Sequence, residues 1–334
     1  MSNKPIAIVT GGAGFIGSHT VDLLIKNGFS VKVIDNFSGG HSKNLEHLKN
    51  NPDLDILEED IRSLDQNHSV FKEADYVFHF AGIGDIVPSI ERPLEYMQTN
   101  VLGTVNVLEA ARAGKVKKLV YAASSSCYGL ANTPTKEDHP INPMYPYALS
   151  KYQGEQAVFH WNKVYRLPVN SLRIFNAYGP RVRTTGAYGA VFGVFFKQKL
   201  AGKPFTVVGD GEQSRDFLFV TDVANAFYKA AISPISGEIF NLGAGNPQSV
   251  NKLVSLLKGG RDITYVPKRP GEPDCTWADI SKITSLLDWQ PMINFEDGVN
   301  IMLKDIGNWK DAPLWDANSI EQATKTWFEF MGSV

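Results

Sequence analysis

Short apolar, β-branched runs alternate along the first half of the chain with longer stretches whose apolar positions recur every three or four residues. IAIVT (6–10) predicts a strand, and FIGSHTVDLLIKNG after it predicts a helix stopped at Gly28. VKVID (31–35), LDIL (54–57), YVFHFA (76–81), KLVYAAS (118–124) and VNSLRIFN (169–176) continue the strand series. LGTVNVLEAARAG (102–114) predicts a helix with a glycine stop, and YPYALSKYQGEQAVFHWNKVY (145–165) predicts another. Strands alternating with helices predict an α/β fold with a doubly wound parallel sheet. The near-continuous apolar character of the strands fits a sheet covered on both faces.

After about residue 176 the pattern loosens. The runs FTVVG, DFLFV and EIFNLG mix with helical periodicity near 189–201, 222–232 and 249–258, and glycine and proline become frequent. This predicts a smaller α/β lobe over 177–334 beside a first domain over 1–176, with a chain that crosses between them. In NSIEQATKTWFEFM, near the end, Ile320, Ala323, Thr324, Trp327, Phe328 and Met331 fall at helical spacing, which predicts a docked amphipathic helix.

Composition narrows the field. The 334 residues carry 33 basic and 35 acidic side chains, a net charge of −2 that gives no general pull toward nucleic acid or an anionic membrane. Two cysteines, Cys127 and Cys275, make no disulfide framework and fit a reducing, cytoplasmic setting. No apolar run approaches the ~18–20 residues of a membrane span. The first residues, MSNKPIAIVTGG, lack an apolar stretch with a small-residue cleavage site.

TGGAGFIG (10–17) lies between the first strand and the first helix and satisfies G-x-G-x-x-G through Gly12, Gly14 and Gly17. Glycines there permit a tight turn and let backbone N–H groups approach a pyrophosphate at the helix N-terminus. Asp35 ends the second strand, 18 residues after Gly17, where a carboxylate accepts ribose hydroxyls and repels a 2′-phosphate. With no arginine at 36–42, NAD is favoured over NADP. Asp60, in EEDI after the third strand, is placed toward the adenine.

YPYALSK sets Tyr147 four residues before Lys151, on one helix face. Taken alone, that spacing is an ordinary first helical turn after Pro146. A phenol is a poor base at neutral pH, with an unperturbed pKa of about 10. A fixed ammonium and a positively charged nicotinamide nearby would favour the phenolate. SSS (124–126) ends the fifth strand at the carboxyl edge, where ligands sit in such sheets. Beside a nicotinamide, Tyr147 would be the acid/base of a hydride transfer and Lys151 would tune it.

With these pieces in place the chain resembles the extended short-chain dehydrogenase/reductase family, specifically its NAD-dependent nucleotide-sugar epimerases and dehydratases. The resemblance runs over nearly the whole chain, through TGGAGFIG, VIDN, EEDI, HFAG, NVLGTVNVLEAAR, SSSCYG, YPYALSK, LRIFNAYGPR, GDGEQSRDFLFVTDVANA, NLGAG, RPGEPDCTWADISK and LDWQP. It implies a Rossmann-type sheet with a nucleotide-sugar-binding lobe. It implies Ser124, Tyr147 and Lys151 as the catalytic trio. Gly11, Gly14, Phe15, Ile16, Asp35, Asn36, Asp60, Ile61, Ala81 and Asn100 would line the NAD site together with Tyr147 and Lys151. Asn176, Arg215, Arg269 and Thr276 would hold the nucleotide-sugar with Ser124, the arginines facing the diphosphate or the base and ribose. No metal is implied. Members of the family usually dimerise through a four-helix bundle, which here implies a homodimer through helices near 95–113 and 147–165.

Two departures carry information. The family's 4,6-dehydratases have an Asp-Glu pair directly after the hydroxyl residue, where this chain has Ser125 and Ser126. Serine does not supply that proton transfer at neutral pH. HFAG places Gly82 where alanine is common. The reading is NAD-dependent C4 epimerisation of a UDP-sugar through a transient 4-keto sugar. A 4,6-dehydratase, a 4-dehydrogenase and a non-catalytic NAD-binding scaffold are the alternatives. Family members with a tyrosine at the position of Thr276 have a crowded sugar pocket, so threonine implies room for an acetamido group at C2.

Overall fold

The computed structural model describes residues 4–184, 191–257 and 262–332. Residues 189–190 and 258, at the ends of two expected helices, lie outside the described residues. The strands are β1 (Ile6–Thr10), β2 (Ser30–Asp35), β3 (Leu54–Glu58), β4 (Tyr76–His79), β5 (Lys118–Ser124) and β6 (Val169–Ile174). Then come β7 (Asn176–Tyr178), β8 (Phe205–Val208), β9 (Ser214–Arg215), β10 (Phe217–Phe219), β11 (Glu238–Leu242), β12 (Gln248–Ser249) and β13 (Ile263–Val266). The helices are α1 (Phe15–Lys26), α2 (Ile86–Glu91), α3 (Pro93–Met97), α4 (Thr104–Gly114), α5 (Pro146–Tyr165) and α6 (Val191–Leu200). They continue with α7 (Val220–Ile232), α8 (Val250–Leu256), α9 (Ser281–Leu287), α10 (Phe295–Lys304) and α11 (Ala317–Met331).

Seven parallel strands form the main sheet in the order β11-β6-β5-β4-β1-β2-β3. The order reverses between β1 and β4, so a crevice opens beyond their carboxyl ends, at Thr10 and His79. One face is packed by α1 and α7, with Val21, Leu24, Phe227 and Trp289 in a single core with Val9, Val33 and Phe240. On the other face α4 and α5 cover Ile8, Val77, Leu119 and Val169. The EIFNLG run therefore returns to the first sheet as β11, in register with β6 from Glu238↔Asn170 to Leu242↔Ile174. A separate core of Phe192, Phe195, Phe196, Phe205, Phe295 and Trp309 holds α6, α8 and α10 with the paired strands β8 and β13.

The helix expected over 102–114 starts earlier. Pro93 opens α3, and a π-helical stretch over Gln98–Gly103 joins it to α4. Such a bulge inserts a residue into the helical ladder, here at Asn100. α5 begins as expected, with Tyr145 as its extended N-cap and Pro146 in the first turn, where the missing N–H costs nothing. Among the described residues no helix is long and apolar enough to cross a membrane.

Candidate active site

The glycine turn is built to bring backbone close to backbone. Gly11 has φ +69°, and a Cβ on it would sit 2.7 Å from the Ala81 nitrogen. A Cβ on Gly17 would sit 2.2 Å from the Gly11 carbonyl oxygen. Gly14 caps α1, with Phe15 and Ile16 in the first turn, no side chain hydrogen-bonded to the cap and no acidic residue in that turn. The positive end of the α1 dipole thus faces the crevice with its N–H groups uncovered by side chains, which suits an anionic pyrophosphate.

Asp35 ends β2 nearly buried. Its Oδ2 accepts from the Ala13 N–H at 2.9 Å and its Oδ1 from the Phe37 N–H at 2.8 Å. Burial pushes its pKa up, opposed by those two bonds. Each oxygen keeps a second lone pair, so the carboxylate both shapes the turn and stays able to accept a hydroxyl. Asn36 donates to Asp60 Oδ2 at 2.9 Å. Asp60 also accepts from the backbone N–H and two guanidinium nitrogens of Arg62, and the guanidinium above all holds its carboxyl down at about 2. Ile61 follows it, buried against the π-helical stretch.

Ala81 leads directly to the second cluster. A Cβ on its neighbour Gly82 would lie 2.8 Å from Asn100 Oδ1 and 3.8 Å from Lys151 Nζ. The small residue in HFAG therefore leaves room at the junction of cradle and lysine. Asn100 accepts from the Ile83 N–H at 2.8 Å and donates to Ile83 O and to Ser150 Oγ at 2.9 Å. Ser150 Oγ in turn donates to the Tyr147 carbonyl at 2.8 Å. Lys151 is buried, its ammonium 4.4 Å from the centre of the Tyr121 ring. Burial pulls its pKa down to about 7, against the pull of Glu155. Burial pushes the Tyr147 phenol up, and a hydrogen bond with the Ser124 side chain works the other way. Ser124 Oγ lies 2.8 Å from Ser126 Oγ and accepts from the Ser126 N–H at 3.2 Å.

The four residues expected to hold the nucleotide-sugar form two pairs. Thr276 Oγ1 donates to Asn176 Oδ1 at 2.8 Å. Arg215 and Arg269 converge on one carboxylate, with Glu272 accepting from Arg215 at 2.7 Å and from Arg269 at 2.8 Å. The sequence reading passed over Glu272, although its place three residues after Arg269 in RPGEP put it within reach. It also missed Asp216, which is fully buried and accepts from the N–H groups of Ala244, Gly245 and Ala278. Only a carboxylate beside Arg215 in SRDF hinted at it.

A third unread group is the buried chain behind the cradle. Thr104 Oγ1 donates to the Asn100 carbonyl at 2.7 Å, which leaves it to accept from His79 Nε2–H at 2.9 Å. His79 Nδ1 then accepts from Thr10 Oγ1 at 2.7 Å. Burial holds the imidazole at about 3, so it stays neutral. Among the described residues no group of three or more His, Cys, Asp or Glu side chains could hold a metal ion.

Residues 7–243 match the model of the NAD dependent epimerase/dehydratase family. The chain belongs to that family. Within it, a Methanocaldococcus jannaschii protein provisionally named UDP-glucose 4-epimerase is 39% identical over 309 residues, spanning 90% of this chain and 97% of the relative. Two solved structures of family members superpose over 91% of this chain. The UDP-N-acetylglucosamine 4-epimerase of Methanobrevibacter ruminantium, in complex with UDP-N-acetylmuramic acid, is 34% identical with a TM-score of 0.84 and is covered over its full length. The UDP-glucuronic acid 4-epimerase of Bacillus cereus, in complex with UDP-glucuronic acid and NAD, is 32% identical with a TM-score of 0.85 and is covered over 99%. The fold is thus shared with two solved 4-epimerases named for differently substituted sugars.

Proposed function

We propose that this family member is an NAD-dependent 4-epimerase of a UDP-sugar. One observation carries the reading: the glycine cradle and the Tyr147–Lys151 turn meet across the two residues Ala81 and Gly82, with Ser124 facing Tyr147. NAD bound on the cradle would supply reversible hydride acceptance at C4. Gly11, Gly14, Phe15 and Ile16 hold its pyrophosphate, Asp35 and Asn36 its ribose, and Asp60 and Ile61 its adenine side. Ala81 and Asn100 line its nicotinamide end.

Tyr147 takes the proton of the sugar 4-hydroxyl through or beside Ser124, and returns it after the 4-keto sugar has turned over. When protonated, the buried Lys151 favours the phenolate, and Asn100 fixes the turn that carries both. Arg215 and Arg269 bind the diphosphate end in place of Glu272, and Asn176 and Thr276 flank the sugar. Ser125 and Ser126 supply no acid–base pair for elimination across C5 and C6, which favours epimerase over 4,6-dehydratase.

The protein works as a homodimer in a reducing cytoplasm, in this reading. Exposed Leu94 and Leu102, from the α3–α4 stretch, and Leu149 and Tyr165 of α5 support the first part. The free thiols of Cys127 and Cys275 support the second.

Incubation with UDP-glucose, UDP-N-acetylglucosamine and UDP-glucuronate without added NAD, followed by NMR of the products, tests the function. Inversion at C4 with no net absorbance gain at 340 nm is expected. Stoichiometric NADH release would replace the reading by a dehydrogenase, a C6 methyl signal by a dehydratase, and no turnover of any sugar by a scaffold.

A further inference from the structure

α11 lies beyond the residues 7–243 that match the family, and none of its residues belongs to the site described above. A capping box of Asp316 and Ser319 closes its start, and it buries Ile320, Thr324, Trp327 and Met331. Its lower end rests on neither main core. Trp327 and Met331 form a small separate cluster with Ile86, Val87 and Ile90 of α2 and with Met144 and Tyr145.

Trp327 makes two contacts of different kinds. Its Nε1–H donates to the Pro270 carbonyl at 2.7 Å. Its ring lies 5.7 Å from that of Tyr145, which lies nearly parallel to Tyr147 at 6.4 Å. Pro270 sits inside the loop that carries Arg269 and Glu272. Gly271, with φ +69°, turns that loop back so that the Glu272 carboxylate meets the Arg269 guanidinium. A Cβ on Gly271 would come within 3.1 Å of the Met144 methyl and 3.4 Å of the Met331 methyl. The loop has no helix or strand of its own between β13 and α9. A rigid indole with a well-placed donor is suited to fixing such a segment.

We propose that Trp327 is a positioning residue that sets the Arg269–Glu272 loop at a fixed distance from Tyr147. It would thereby hold the nucleotide end of the substrate in register with the end that reacts. This rests on the reading that Arg215 and Arg269 bind the diphosphate.

The test is Trp327→Phe, which keeps an aromatic ring and removes the donor, with UDP as the probe ligand. The Ki of UDP and the KM of the nucleotide-sugar should rise about fivefold to tenfold, while kcat and retained NAD stay within twofold. Hydrogen exchange across 267–275 should quicken several-fold. Unchanged Ki and unchanged exchange overturn the proposal. So does a variant in which kcat, UDP affinity and thermal midpoint all fall together, the mark of a merely structural residue. Arg269→Ala separates the two layers. If it leaves the Ki of UDP unchanged, the arginine assignment fails. If it raises that Ki and Trp327→Phe does not, the failure belongs to Trp327.

Discussion

The two halves of the site are held in different ways. Ser124, Tyr147 and Lys151 stand on the end of a buried strand and the first turns of a 20-residue helix, and their supports are backbone groups and a neutral buried chain. Asn176, Thr276, Arg215 and Arg269 stand on strands of two or three residues and on loops, and hold one another or Glu272. The first arrangement fixes geometry before any ligand arrives, which is what proton transfer at one defined oxygen needs. The second spends its charges internally, on Glu272. In the proposed function it would exchange Glu272 for a diphosphate, with chemistry on the rigid part and substrate choice on the part that can rearrange.

If that contrast holds, damage to the first half should appear in kcat. Tyr147→Phe removes one oxygen and should lower kcat by the ~10²–10⁴-fold typical of a lost acid/base, with NAD retained and UDP binding unchanged. Near-normal turnover would remove the basis of the mechanism.

Damage to the second half should appear in affinity. Arg215→Ala leaves Glu272 to Arg269 alone and gives up one charged contact to the ligand. Steady-state kinetics should show KM up by about tenfold, with kcat changed less than threefold. A loss confined to kcat would erase the contrast.

Thr276→Tyr tests the same half for selectivity. The added ring fills space beside Asn176, and overpacking costs ~1–3 kcal/mol. N-acetylated UDP-hexosamines should therefore lose kcat/KM selectively, about fivefold or more relative to UDP-glucose. An unchanged ratio would show that this position does not gate the pocket.

The smallest effect concerns pH. Burial lowers Lys151 to about 7 from an ordinary 10.5. Between those values the unfolded chain binds the extra proton, so this group makes stability rise with pH across that window. Thermal midpoints from pH 7 to 9 should climb more in the wild type than in Lys151→Met, by on the order of a few degrees. Parallel curves would mean that the ammonium is not held in a buried setting.

The same contrast explains what the sequence revealed. The strands and helices of the main sheet announced themselves by period, because each buries one continuous face. The glycine turn and YPYALSK are local motifs, and their spacing alone sets their geometry. Glu272, Asp216 and Trp327 act across chain separations of 57, 62 and 57 residues. No local period encodes such pairings. The early start of the α3–α4 helix was hidden too, since a π-helical stretch shifts the apolar face by one residue around Asn100. β11 looked like part of the second lobe because sequence position, unlike register, says nothing about which sheet a strand will join.

That strand has a consequence for how the chain is made. Every residue of β6 is buried, and β11 supplies its outer neighbour. During synthesis from the N-terminus, about sixty residues must emerge after β6 before its edge is covered. Until then a strand whose side chains are all buried in the finished fold presents unpaired N–H and C=O groups to any other nascent chain, the situation in which sheets join the wrong partner. Translation that stalls within the intervening residues should therefore yield aggregates rather than a folded half-enzyme.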